Sequence, residues 1–229
     1  MLERLIMGGP LMVPLMICSV MALTAVFDRC WAFYKYSKVD VRSLRANVLD
    51  LLMEDRIEDA CVLCASTPGP VAAVLLAGLQ SCIKLLGKRR SPETIRMIMG
   101  KAMEDFSLHA VSAVEKRFGI LSTVASSAPL FGMAGTVTGM IASFSALEKA
   151  AALDAALVAG GIKEALVTTA AGLLIALLAV IPLNFFTARA DRIVLDIEEA
   201  SSELLDFVLT QLEEDEEEQG RPVHAHRQA

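Results

Sequence analysis

Two long charge-free stretches hold the residues whose types and spacing could do chemistry. In 119–147 these are Ser126, Ser127, Pro129, Gly132, Gly135, Thr136, Thr138 and Gly139. In 165–188 they are Thr168 and Thr169, with Glu164 one helical turn earlier. Ser126, Pro129, Met133, Thr136, Gly139 and Ser143 recur every three or four residues, so a helix would set them on one face. If the two stretches are antiparallel neighbours, the stripes can meet in a weakly polar seam whose hydroxyl oxygens suit an ion path. Close packing through small residues explains most of the Gly and Ala equally well. Ser and Thr can also bond their own i−4 carbonyls, which makes an isolated hydroxyl cheap. On the residues alone both readings stand.

An absence sharpens the choice. No Asp, Glu, Lys, Arg or His lies inside 5–27, 119–147 or 165–188, and Glu164 sits only at a rim. Proton relays across a membrane need a titratable group at depth. Either the chain is a passive scaffold, or a helix from another chain inserts the missing carboxylate. No phosphate-cradling loop, nucleophile–base pair or metal-ligand cluster is present, so neither an enzyme nor a cofactor or metal site is expected. Cys61-Val62-Leu63-Cys64 is a lone CxxC, read as small core residues at helical spacing, and the five cysteines are not framed for disulfides. His224 and His226 lie in a loose tail.

The elements that must position these residues follow from length. Each charge-free run crosses a hydrocarbon core of about 30 Å at about 1.5 Å per residue. Of the 229 residues, 55% are hydrophobic and only 5% aromatic. The expected fold is therefore all-α: a polytopic membrane protein with three transmembrane helices at 5–27, 119–147 and 165–188. The first run has no basic push before it and no small-residue cleavage site after it, so it reads as an uncleaved span rather than a signal peptide.

Arg29, Lys35, Lys38, Arg42 and Arg45 follow the first span; Lys101, Lys116 and Arg117 precede the second; Arg189 and Arg192 follow the third. The positive-inside rule then places the N-terminus outside, 28–118 in the cytoplasm, 148–164 as a short external link, and 189–229 in the cytoplasm. Net charge is −6, and 28–118 balances 14 Lys and Arg against 11 Asp and Glu, unlike a nucleic-acid surface.

The cytoplasmic region reads as helices. Apolar residues keep helical spacing over 41–65, Thr67-Pro68-Gly69-Pro70 breaks it, and 71–86 forms the next. Ser91-Pro92-Glu93 starts another, with Ser as N-cap and Pro at its first position. No breaker separates its pattern from the second span, which predicts one helix from about Pro92 to Leu147. After Arg189 an amphipathic helix extends the third span into the cytoplasm and ends in the acidic block 213–218, expected to be disordered.

Three segments together resemble the MotA/TolQ/ExbB proton-channel family, most closely its ExbB/TolQ branch. They are GGPLMVPLMICSV with the following Asp28-Arg29, APLFGMAGTVTGMIASF (128–144), and GIKEALVTTAAGLLIALLAVIPLNFF (161–186). The resemblance covers roughly 8–200, and the joint spacing of the last two segments is specific. It implies a homopentamer around an ExbD/TolR-like single-span partner whose intramembrane Asp takes and releases the proton. It also implies a TonB-like or Tol–Pal-like protein downstream, in the inner membrane of a Gram-negative bacterium, with H⁺ as coupling ion and Na⁺ left open. By position, Thr136 and Thr169 would face that Asp, and Glu164 looks like the family's rim carboxylate. Two departures stand out: Thr138 takes a place where many members carry an aromatic, and Lys163 adjoins Glu164.

Overall fold

The computed structural model describes residues 9–36, 39–86, 92–149 and 155–220. Seven helices account for the regular structure of these residues: α1 (Met12–Tyr36), α2 (Val41–Met53), α3 (Ile57–Ser66), α4 (Pro70–Leu86), α5 (Pro92–Glu115), α6 (Phe118–Lys149) and α7 (Ala155–Gly220). Three of them, α1, α6 and α7, are long and apolar enough to cross a membrane. The proposed N-cap Ser91, the basic turn at 88–90, the link residues 150–154 and the tail histidines lie outside the described residues.

Three expectations need correction. The helical spacing over 41–65 is carried by two helices, α2 and α3, because Asp55 between them has φ +58°, a left-handed conformation that ends a right-handed helix. The helix predicted to run unbroken from Pro92 to Leu147 is two helices, because α5 stops at Glu115 and α6 starts at Phe118. Arg117 between them has φ +74°, a left-handed conformation that a right-handed helix cannot pass through. Its carbonyl accepts from the amides of Ile120 (3.1 Å) and Leu121 (3.4 Å), which restarts the helical ladder. The third correction concerns α7, whose backbone is helical from Ala155 through the acidic block to Gly220. Ala and Glu are strong helix formers, so both the Ala-rich approach to the span and the acidic run can extend a helix already nucleated beside them.

The chain divides into two compact units, Met1–Ala32 with Lys116–Ala188, and Phe33–Glu115 with Arg189–Ala229. In the first, Leu15, Ala22, Leu121, Val124, Ala128 and Phe186 are buried between the three candidate spans. The rings of Phe118 and Phe186 stack with centroids 6.4 Å apart and planes 17° apart. Asp28 near the end of α1 meets Arg29 Nη2 at 2.8 Å and Arg117 Nε at 3.3 Å, so it binds the residue whose backbone breaks the helix. Val13, Ile17, Val20, Leu173, Leu174 and Leu177 are exposed, as residues that face hydrocarbon would be.

The second unit has its own core, in which Val48, Leu75, Leu79, Met99 and Leu204 are almost fully buried. Asp40 caps α2 by accepting from the Arg42 amide at 3.1 Å. Arg45 on α2 pairs with Glu203 at 2.7 Å and Glu199 at 3.0 Å on α7. That bonding raises the Arg45 pKa and holds the Glu199 carboxyl below its usual range. Cys64 and Cys82 are buried in this core, and burial pushes the Cys64 thiol up to about 11, so it packs as a small apolar residue rather than an active thiolate.

Candidate functional site: the seam between α6 and α7

The seam is built on absent side chains. Along α6, Ala128, Gly132, Gly135, Gly139 and Ser143 recur every three or four residues and form one line. Along α7 the opposing line is Gly161, Ala165, Thr168, Gly172 and Ala176. Residue by residue the two lines touch. A Cβ placed on Gly172 would lie 2.6 Å from the carbonyl oxygen of Ala128 and 3.1 Å from the Gly132 Cα. One on Gly132 would lie 3.1 Å from the Thr169 Cα. One on Gly139 would lie 2.9 Å from the Ala165 Cβ. Only glycine lets two helix backbones come this close, which is why lipid-embedded helices pack through such residues.

The hydroxyl groups divide by what they bond. Thr169 donates across the seam to the Gly132 carbonyl at 2.8 Å, a bond between residues 37 apart in sequence. Thr168, 1% exposed, presses its methyl group against Gly135 and donates within its own helix to the Glu164 carbonyl at 3.1 Å. Thr136 is half-buried and donates to the Met133 carbonyl of α6 at 2.7 Å. Ser126 is exposed and bonds the carbonyls of Ser122 and Thr123. Ser143 is buried and bonds the Gly139 carbonyl at 2.8 Å. Pro129 is half-buried inside α6 without breaking it.

The structure thus brings Thr168, Thr169 and Gly139 together in the seam, while Ser126 stays outside it and Thr136 and Pro129 lie at its edge. A face centred on Ser126, Pro129, Met133 and Thr136 differs from the packed line by about one residue's rotation, since Met133 is 55% exposed and Gly132 is buried. Gly132, Gly135 and Gly172 carry the close packing that the small residues of the two runs allow for in the sequence, with 132, 135 and 139 spaced as three glycines on one helix stripe.

At one end of the seam lies a cavity of about 310 Å³, lined by Gly9, Pro10, Thr138, Gly139, Ser143 and Glu164 among others. Glu164 is half-buried in its wall, so a carboxylate and two hydroxyl-bearing residues share one space inside the first unit.

The sequence model of the MotA/TolQ/ExbB proton channel family matches residues 66–199, which take in the whole seam. The chain belongs to that family. Its relatives carry the names of two branches. ExbB-like 1 of Synechocystis sp. is 32% identical over 184 residues, covering 79% of this chain and 68% of that protein. Biopolymer transport protein ExbB of Pseudomonas putida is 28% identical over 181 residues, covering 79% and 55%. Tol-Pal system protein TolQ of Haemophilus influenzae is 38% identical over 103 residues, covering 45% of each. The shared segments thus span about half to two thirds of these relatives.

Proposed function

We propose that this chain is an ion-channel subunit of a proton-motive-force-driven motor in the inner membrane of a Gram-negative bacterium, ExbB-like in role. It assembles as a homopentamer around a small single-span partner whose intramembrane Asp picks up and releases H⁺. Movement of that partner is passed to a TonB-like protein and powers outer-membrane uptake. The chain itself catalyses no reaction and needs no cofactor; the coupling ion is H⁺, with Na⁺ the alternative. The observation that carries this reading is the make-up of the spans. A member of a proton-channel family has three charge-free runs whose depths hold hydroxyl groups and no carboxylate, histidine or basic side chain. A carboxylate from a second chain completes such a path. The arginine and lysine flanks support an outside N-terminus and a cytoplasmic second unit.

Thr136 is the residue to test, because its hydroxyl bonds only its own helix and its loss leaves the seam intact. Thr136→Val should lower proton-dependent uptake tenfold or more while the assembly with the single-span partner survives purification. Full uptake by the variant would refute the reading. The TolQ-named relative supports a second one, in which the same motor maintains the envelope through a Tol–Pal-like system. Deleting the gene separates the two: lost uptake with an intact envelope marks the first, and detergent-sensitive cells with normal uptake mark the second.

A further inference from the structure

Gly9 precedes α1 at φ +71°, a left-handed backbone that residues with a Cβ adopt only under strain. It also lies against the end of the Glu164 side chain, which a Cβ there would displace. A Cβ built on Gly9 would lie 2.5 Å from Glu164 Oε1 and 3.6 Å from its carboxyl carbon. The side chain of Glu164 therefore lies over the bare backbone of the turn that starts the first span. Gly9 and Pro10 also line the cavity that Glu164 shares with Thr138 and Ser143. A turn so placed closes one side of the carboxylate's range and leaves the cavity as its open side.

We infer that Gly9 is a positioning residue for Glu164: the turn before the first span holds the one carboxylate of the seam against the hydroxyl-lined cavity. Span one thereby takes part in the site without contributing a polar side chain to it. The inference rests on the ion-path reading of the seam, and its test separates the two. In the full chain assembled with its single-span partner, Gly9→Ala adds a Cβ at the carboxylate and should lower proton-dependent uptake about tenfold. Gly9→Ala combined with Glu164→Asp shortens the side chain by one methylene and should recover activity to near that of Glu164→Asp alone. Backbone strain at position 9 is the same in both, so recovery reports the contact and not the strain. A readout independent of transport uses dicyclohexylcarbodiimide, an apolar carboxyl reagent, with Glu164 modification measured by mass spectrometry. Gly9→Ala should change the labelling rate of Glu164 several-fold, and the added Glu164→Asp should bring the rate at residue 164 back towards that of the Glu164→Asp single variant. Changed labelling with unchanged uptake would support the placement of Glu164 and refute the ion-path reading. Unchanged labelling in Gly9→Ala, or no recovery in the double variant, would overturn the role of Gly9.

Discussion

Replacing Gly172 by Ala tests the seam most directly. The added methyl would sit 2.6 Å from the Ala128 carbonyl oxygen and 3.1 to 3.2 Å from the Gly132 Cα and nitrogen. All three neighbours are backbone, so no side chain can swing aside and the helices themselves must part. A gap of about 0.5–1 Å forfeits a quarter to a half of the dispersion attraction along the line. Overpacking of this kind costs about 1–3 kcal/mol. Parting also lengthens the Thr169–Gly132 hydrogen bond, worth roughly 0.6–1.7 kcal/mol between membrane helices. Alanine returns up to about 1 kcal/mol through its better helix propensity. The expected net loss is therefore about 1–3 kcal/mol. Gly160, on the same helix, supplies the control, since its Cβ would meet nothing within 4 Å. Gly160→Ala should stabilise by about 0.5–1 kcal/mol. Reversible unfolding of both variants by SDS in mixed micelles measures the pair. The two variants should shift in opposite directions: Gly172→Ala as stable as the parent, or both variants shifted in the same direction, would refute the backbone contact.

Two further outcomes follow from the junction and from the second unit. Arg117 holds φ +74° and pairs with Asp28 while 40% exposed. Arg117→Gly should leave stability within about 1 kcal/mol, because relief of the left-handed strain offsets the lost ion pair. The β-branched Arg117→Val should cost at least about 2 kcal/mol by the same unfolding measurement. In the second unit, Arg45 depresses the pKa of Glu199, so the stabilisation it provides is present above the ordinary carboxyl pKa and is lost as pH falls through the lowered one. The thermal midpoint of the chain in detergent should decline from about pH 4.5 downward, and Arg45→Ala should flatten that decline. An unchanged acid profile in the variant would show that the pair contributes nothing.

The three spans were legible because nothing competes with an unbroken apolar run of that length. The break at Lys116-Arg117 was not, since neither residue is Gly or Pro and the apolar spacing continues across it. A left-handed arginine leaves no mark in composition; here its guanidinium bonds Asp28, a residue far away in sequence, and that bond favours the turn. The helical approach to the third span was hidden for a different reason. Its Gly160-Gly161 pair reads as a loop signal, yet Gly161 faces Ser143 and Gly139 across the seam, so at least that glycine serves packing rather than a turn.

Composition also could not rank the threonines. Thr136, Thr168 and Thr169 look equivalent in sequence, because each is a hydroxyl inside an apolar run. Packing separates them. Thr168 is closed off against Gly135, and Thr169 spends its hydroxyl bond on Gly132, so both hold α6 to α7. Going round α6, Gly135 is buried, Thr136 is half-buried and Val137 is exposed. Thr136 therefore stands where the seam ends and an open helix face begins. A helix from another chain can reach that edge without disturbing any contact between α6 and α7, whereas reaching Thr168 would require the spans to part. If a partner's carboxylate works in this channel, Thr136 is the threonine of the three that meets it first, and Thr169 acts by keeping the backbone behind it fixed.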